Sequence, residues 1–153
     1  MTSMQTFPVS ALENGTVIDH IPSGVALQIV QLLVLSDHHR EITIGLNLPS
    51  DSLGHKDLIK VSEWELSKEK ANQVAILAPN ATISIIRDYQ VSEKFPVSIP
   101  ETIQGLISCP NPKCITNHEQ ALTIFHVEKI RNEIQLTCRY CRNRFSQKEI
   151  NAG

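Results

Sequence analysis

Cysteine is missing from residues 1–100 of this 153-residue chain; all four cysteines fall in the last 45 residues. A thiol nucleophile is therefore excluded from the longer N-terminal part. Long apolar runs are missing too. The longest, Ile29 to Leu35, is interrupted by Gln31 and is too short to span a bilayer. No basic segment followed by an apolar core opens the chain, so no signal peptide is expected and the cytosol is the expected compartment. Neither Gly-x-Gly-x-x-Gly nor a Gly-rich P-loop is present, and there is no Gly-x-Ser-x-Gly elbow. The formal net charge of −2 gives no overall pull towards nucleic acid or membranes.

The composition is that of a globular protein, 41% hydrophobic and 20% charged. Charge divides along the chain. Residues 1–100 hold 7 Lys and Arg against 11 Asp and Glu, while residues 101–153 hold 7 against 5. Between them lies Phe95-Pro96-Val97-Ser98-Ile99-Pro100, whose prolines favour an extended connector over regular pairing. Two domains are expected, 1–98 and 99–153.

The first half alternates strands and helices. Thr16–Ile21 is rich in β-branched residues, and Val25–Leu35 carries a broad apolar stripe at helical spacing. Glu41–Leu48 alternates with Ile42, Ile44, Leu46 and Leu48 on one face, and Asp57–Val61 is a shorter strand. Ser67 is placed to cap a helix running to about Leu77, followed by strand at Ala81–Asp88 and again at Tyr89–Val91. The order β-α-β-β-α-β predicts an α+β protein with a ferredoxin-like (split βαβ) domain. An open sheet edge favours pairing of two copies, so a homodimer is expected.

In the second half, Cys109-Pro-Asn-Pro-Lys-Cys114 and Cys138-Arg-Tyr-Cys141 are two cysteine pairs, each closing a tight loop able to aim two thiolates at one ion. Ala121–Val127 and Ile134–Leu136 read as strands around a turn at Arg131-Asn132-Glu133. So small an all-β unit draws much of its folding free energy from a metal, and one structural zinc is expected. Two disulfides or four free thiols are the plain alternatives. Four thiolates leave no open coordination position for catalysis, and the His-x-Glu element of a zinc deaminase is missing. His118 and His126 read as surface or satisfied strand residues. Arg139, Arg142 and Arg144 surround the second pair and fit a phosphate backbone, an acidic protein or plain solvation.

In the first half, Asp19 and His20 close one strand, Lys60 closes another and Lys94 follows the last. At one end of an open sheet, two lysines and a histidine suit phosphates, and a carboxylate suits a ribose hydroxyl. Solvated charges at strand ends are the ordinary alternative.

Several stretches carry a resemblance: Gly15–Pro22 (GTVIDHIP), Ile42–Ser50 (ITIGLNLPS), Lys56–Lys60 (KDLIK), Ala78-Pro79 with Ala81-Thr82, Cys109-Pro-Asn-x-x-Cys-Ile115, and Cys138-x-Tyr-Cys141. Together they resemble the regulatory chain of aspartate carbamoyltransferase, the enzyme of the first committed step of pyrimidine synthesis. The resemblance implies a non-catalytic chain with an N-terminal nucleotide-binding domain that dimerises and a C-terminal zinc domain that docks on the catalytic chain. It implies inhibition by CTP, often assisted by UTP, and activation by ATP. By position it implies Val9, Ala11 and Leu12 in a base pocket beside Ile86, Tyr89 and Val91, with Asp19 and Lys60 at the ribose and His20 and Lys94 at the phosphates. Ser10 and Ser84 depart from the acidic residue and asparagine usual there, and Lys113 and Arg142 from an amide and an acidic residue. The alternative from another class is a zinc-ribbon nucleic-acid-binding protein. A small acyl-phosphate hydrolase is a further one, for which no base or nucleophile arrangement is found. No nucleic acid and no membrane are expected as partners.

Overall fold

The computed structural model describes residues 12–33, 40–131 and 133–149. Alternation of Ile18 with its polar neighbours makes β1 (Gly15–Pro22), which runs through the middle of the first sheet. Around it stand β2 (Ile42–Ser50), β3 (Gly54–Ser62), β4 (Thr82–Arg87) and β5 (Gln90–Pro96), in the spatial order β2-β3-β1-β4-β5 with every described neighbour antiparallel. Helices α1 (Ala26–Leu32) and α2 (Lys68–Val74) supply the β-α-β-β-α-β order expected from the sequence, extended by β5. Ile18, Ile59, Ile83 and Ile85 are buried with Ile29 of α1 and Ala71 and Val74 of α2. The residues between them along each strand form the opposite face.

Ser67 caps α2, its hydroxyl accepting from the Lys70 N–H at 3.2 Å. The helix ends earlier than the expected Leu77. Ala75, Ile76 and Leu77 instead donate to carbonyls three residues back, a tightening that readies the chain for Pro79. The expected connector also shifts: Phe95 and Pro96 pair with Ile83 and Thr82 in β5. Because β5 is an edge strand, the missing proline N–H leaves no neighbour unsatisfied. Tyr89 is not in a strand. It and Asp88 both have positive φ, 65° and 53°, and form the two-residue turn between β4 and β5.

The second sheet has the order β6-β7-β8-β9, from Thr102–Gln104, Ile124–Ile130, Glu133–Cys138 and Arg144–Ser146. Ala121–Thr123, expected as strand, is loop, where the Thr123 hydroxyl donates to the Ile107 carbonyl. Phe125 and Phe145 meet edge to face in the core of this sheet, and that core is continuous with the first. Gln147 donates to the Ile76 carbonyl at 2.7 Å, across the junction of the two halves. Among the described residues no helix is long and apolar enough to cross a membrane.

One buried carboxylate fixes the N-terminus of α1. Asp57 of β3 accepts from the N–H groups of Gly24 (2.9 Å), Ala26 (3.1 Å) and Asn47 (2.9 Å). Asp57→Ala orphans all three donors and is expected to cost about 3 kcal/mol in urea unfolding. A cost below about 1 kcal/mol contradicts this role.

Candidate metal centre and polar sheet face

The four cysteines converge from two loops. Cys109 follows β6, Cys114 opens a 3-10 turn at Ile115–Asn117, Cys138 ends β8, and Cys141 lies in the turn to β9. Their sulfurs all lie within 4.8 Å of one another, with Cys109–Cys141 at 3.7 Å and Cys114–Cys138 at 3.8 Å. No disulfide joins them. A tetrahedral ion bonded to sulfur at about 2.3 Å sets neighbouring sulfurs about 3.8 Å apart, so the cage fits such an ion.

Each loop is braced from outside. The Asn117 amide donates to the carbonyls of Cys109 (3.0 Å) and Asn111 (2.7 Å). Backbone N–H groups point at the sulfurs, from Asn111 to Cys109, from Thr116 to Cys114, and from Cys141 and Tyr140 to Cys138. Burial pushes the Cys109 and Cys138 thiols up. Burial opposes ionisation of Cys114 as well, but the hydroxyl and N–H of Thr116, with the Cys138 and Cys109 thiols, bring it down to about 7. A cation between the four sulfurs is what stabilises them as thiolates against burial. The His118 ring donates to the Pro112 carbonyl at 2.9 Å, and His126 is exposed on β7; neither belongs to the sulfur cluster.

A second constellation lies on the sheet face opposite the helices. Register sets Lys60, Val17, Ser84 and Lys94 side by side across β3, β1, β4 and β5. Two residues further along β1, a bulge falls between Ile18 and Ile21, and His20 takes φ 59°. The bulge lets successive residues serve one face. Asp19 pairs with Lys56 at 2.9 Å, and the His20 ring meets the Thr82 hydroxyl at 2.9 Å. Lys60 is held below the usual lysine range by partial burial, against the opposing pull of Asp19.

Asp19, His20, Lys60 and Lys94, read from the sequence as a loose set of strand-end residues, therefore share one face of the sheet, with Lys60 and Lys94 three strand spacings, about 14 Å, apart. At the Gly15 end, Ile86 and Val91 lie in register with Gly15, and Tyr89 in the adjoining turn is 64% exposed. Gly15 is obligatory. A β-carbon there would lie 2.1 Å from the Val61 carbonyl oxygen and 2.8 Å from Leu12, which packs over it. Val9 and Ala11 lie outside the described residues. Sequence reasoning missed Lys56 and Thr82. Lys56 had a signal, since it shares strand parity with Lys60, whereas the bulge that brings His20 to Thr82 had none.

Fold and site together define a class, an α+β protein that joins a ferredoxin-like sheet to a small unit with a closed four-sulfur metal cage. Protein-family models match both parts. Residues 7–98 match the aspartate carbamoyltransferase regulatory chain, allosteric domain, and residues 101–151 its metal binding domain. The chain is 44% identical over 152 residues to the aspartate carbamoyltransferase regulatory chain of Pyrococcus abyssi, covering 98% of this chain and 99% of that one. It is 43% identical over 150 residues to that of Proteus mirabilis (98% and 99%) and 43% over 148 to that of Thermococcus gammatolerans (96% and 97%). The chain belongs to the family of aspartate carbamoyltransferase regulatory chains. It is thus a regulatory component of pyrimidine synthesis and carries no catalytic role of its own.

The cage predicts about one metal ion per purified chain. Cys114→Ser removes one of the four sulfur donors, and metal affinity is expected to fall by about tenfold or more. Chelator competition reads this directly; unchanged affinity contradicts the four-sulfur assignment.

Proposed function

We propose that this chain binds nucleoside triphosphates on the polar sheet face and passes the signal to catalytic chains of aspartate carbamoyltransferase. CTP and UTP inhibit, and ATP activates. The observation that carries the reading is the convergence of Asp19, His20, Lys60 and Lys94 on one face, with an apolar end at Leu12, Ile86, Tyr89 and Val91. From Gly15 to Asp19 the strand advances about 13 Å, a span that fits a base at the apolar end and phosphates at the cationic end. Lys60 and Lys94 meet the anion as point charges, and partial dehydration of Lys60 strengthens its attraction. Asp19, set between Lys56 and Lys60, offers an acceptor to a ribose hydroxyl. Val9 and Ala11 complete the base pocket in this reading.

The division of labour follows residues 1–98 and 99–153. The first part binds effector and pairs with a second copy; the second binds zinc through Cys109, Cys114, Cys138 and Cys141 and docks on the catalytic chain. Zinc is the ion of choice because all four donors are thiolates and the coordination shell is closed. The pairing edge is β2. Its nine residues carry no charge and Leu46 is 52% exposed, whereas the opposite edge, β5, bears Glu93 and Lys94, which discourage edge-to-edge pairing. The complex works in the cytoplasm, where its thiols stay reduced.

Titration calorimetry of the full chain with CTP and with ATP tests the reading. Lys60→Ala is expected to weaken both by roughly tenfold to a hundredfold while metal content stays unchanged. Binding that is absent from the unaltered chain, or indifferent to Lys60, overturns it.

A further inference from the structure

Two strained turns of the first half are tied to the residues that lead into β1. The Asn14 carbonyl accepts from the Glu63 N–H at 2.9 Å, and Glu63 has φ 56°. The Asn14 side-chain oxygen accepts from the Asp88 N–H at 3.2 Å. Beside it, the Glu13 carbonyl accepts from the Tyr89 N–H at 2.9 Å. Leu12, next in the chain, packs over Gly15. Residues 12–14 thus supply one wall of the apolar end of the sheet face and tie down the turn that carries another, Tyr89.

That turn is poorly suited to hold itself. Asp88 and Tyr89 take φ 53° and 65° between Arg87 and Gln90, which pair across the turn. Glycine or asparagine enters such a turn at little cost, whereas a tyrosine is strained there. Packing does little to offset the strain. Asp88 is exposed, Tyr89 is 64% exposed, and a cavity of 410 Å³ lies beside the turn between Asn14, Trp64, Arg87 and Asp88. Arg87 braces the stem, its guanidinium donating to the Glu65 carboxylate at 2.7 and 2.8 Å and to the Ser92 hydroxyl at 3.0 Å. The two central residues are held by the bonds to Glu13 and Asn14. Of these the bond to Asn14 is made by a side chain, so a substitution can remove it.

We propose that Asn14 is a positioning residue for nucleotide binding, holding the Asp88–Tyr89 turn in its left-handed form and so keeping Tyr89 at the edge of the base pocket. The proposal rests on the nucleotide reading above and deepens it by naming what fixes one wall of the pocket. Asn14 acts through the turn, so its loss is felt at the base and not at the phosphates.

Titration calorimetry of the full chain with CTP and with inorganic tripolyphosphate tests this, with metal content and thermal unfolding read in parallel. Asn14→Ala is expected to weaken CTP by about fivefold and to leave tripolyphosphate within about twofold. Asn14→Asp keeps the acceptor and is expected to keep most of the preference for CTP over tripolyphosphate. Asp88→Gly lets the first left-handed position be occupied without strain, so adding Asn14→Ala to it is expected to cost no more than about twofold in CTP affinity. Equal losses in the two backgrounds overturn the proposal, because Asn14 then acts otherwise than through the turn. A loss of tripolyphosphate as large as that of CTP also overturns it and makes Asn14 a general support of the sheet. CTP affinity unchanged by Asn14→Ala overturns it and leaves the nucleotide reading standing. An unaltered chain that binds neither ligand overturns the nucleotide reading, and the proposal with it.

Discussion

Four sulfurs held within 4.8 Å of one another cannot all be thiolates without a cation between them, and the second half of the chain is built around that requirement. Its outer strands, β6 and β9, have three residues each. The core they share with β7 and β8 is small, and both cysteine loops are stretches that no strand pairing would fix. Asn117, the Thr116 hydroxyl and the backbone N–H groups aimed at sulfur hold the loops in the geometry that the ion completes. Everything presented from those loops, Lys113 and Tyr140 included, takes its position from the same cage.

The first half solves a different problem, that of bringing charged side chains from three strands to one face without burying them unpaired. Antiparallel register does most of this, since Lys60, Ser84 and Lys94 share a row. The bulge at Asp19-His20 does the rest, placing two consecutive polar residues where alternation would place one. The ion pair of Asp19 with Lys56 moderates the cationic face before any ligand arrives. Between this face and the metal cage run packed elements. The sheet core continues into the second sheet, the Asn72 amide oxygen accepts from the Ser98 N–H at 3.0 Å, and Gln147 reaches the Ile76 carbonyl. This is spatial continuity; two global states with different nucleotide affinity are what would turn it into regulation.

What the sequence made legible follows from how local each signal is. The cysteine pairs could be read directly, because spacings of four and two residues force tight loops whatever the surrounding fold. Strands β1 to β4 and the Ser67 cap were legible from periodicity and capping chemistry. The three-residue strands β6 and β9 were not, being too short to alternate. Tyr89 read as strand because an Asp-Tyr pair carries none of the Asn-Gly chemistry that marks a left-handed turn. Pro96 read as a break because nothing in the sequence says which strand lies at an edge. Of the polar face, the residue types were visible, but their convergence depends on register and on a bulge, both set by partners distant in the chain. The resemblance to a known family supplied the missing long-range information, and the match over nearly the full length of the relatives agrees with it.

The account stands or falls on whether occupancy of the sheet face changes the activity of an attached catalytic chain. The most direct measurement is an aspartate saturation curve of the reconstituted complex, taken with and without CTP and ATP. The account predicts that CTP moves half-saturation to higher aspartate and ATP to lower. Superimposable curves, in a complex shown to be assembled and loaded with metal, would contradict it.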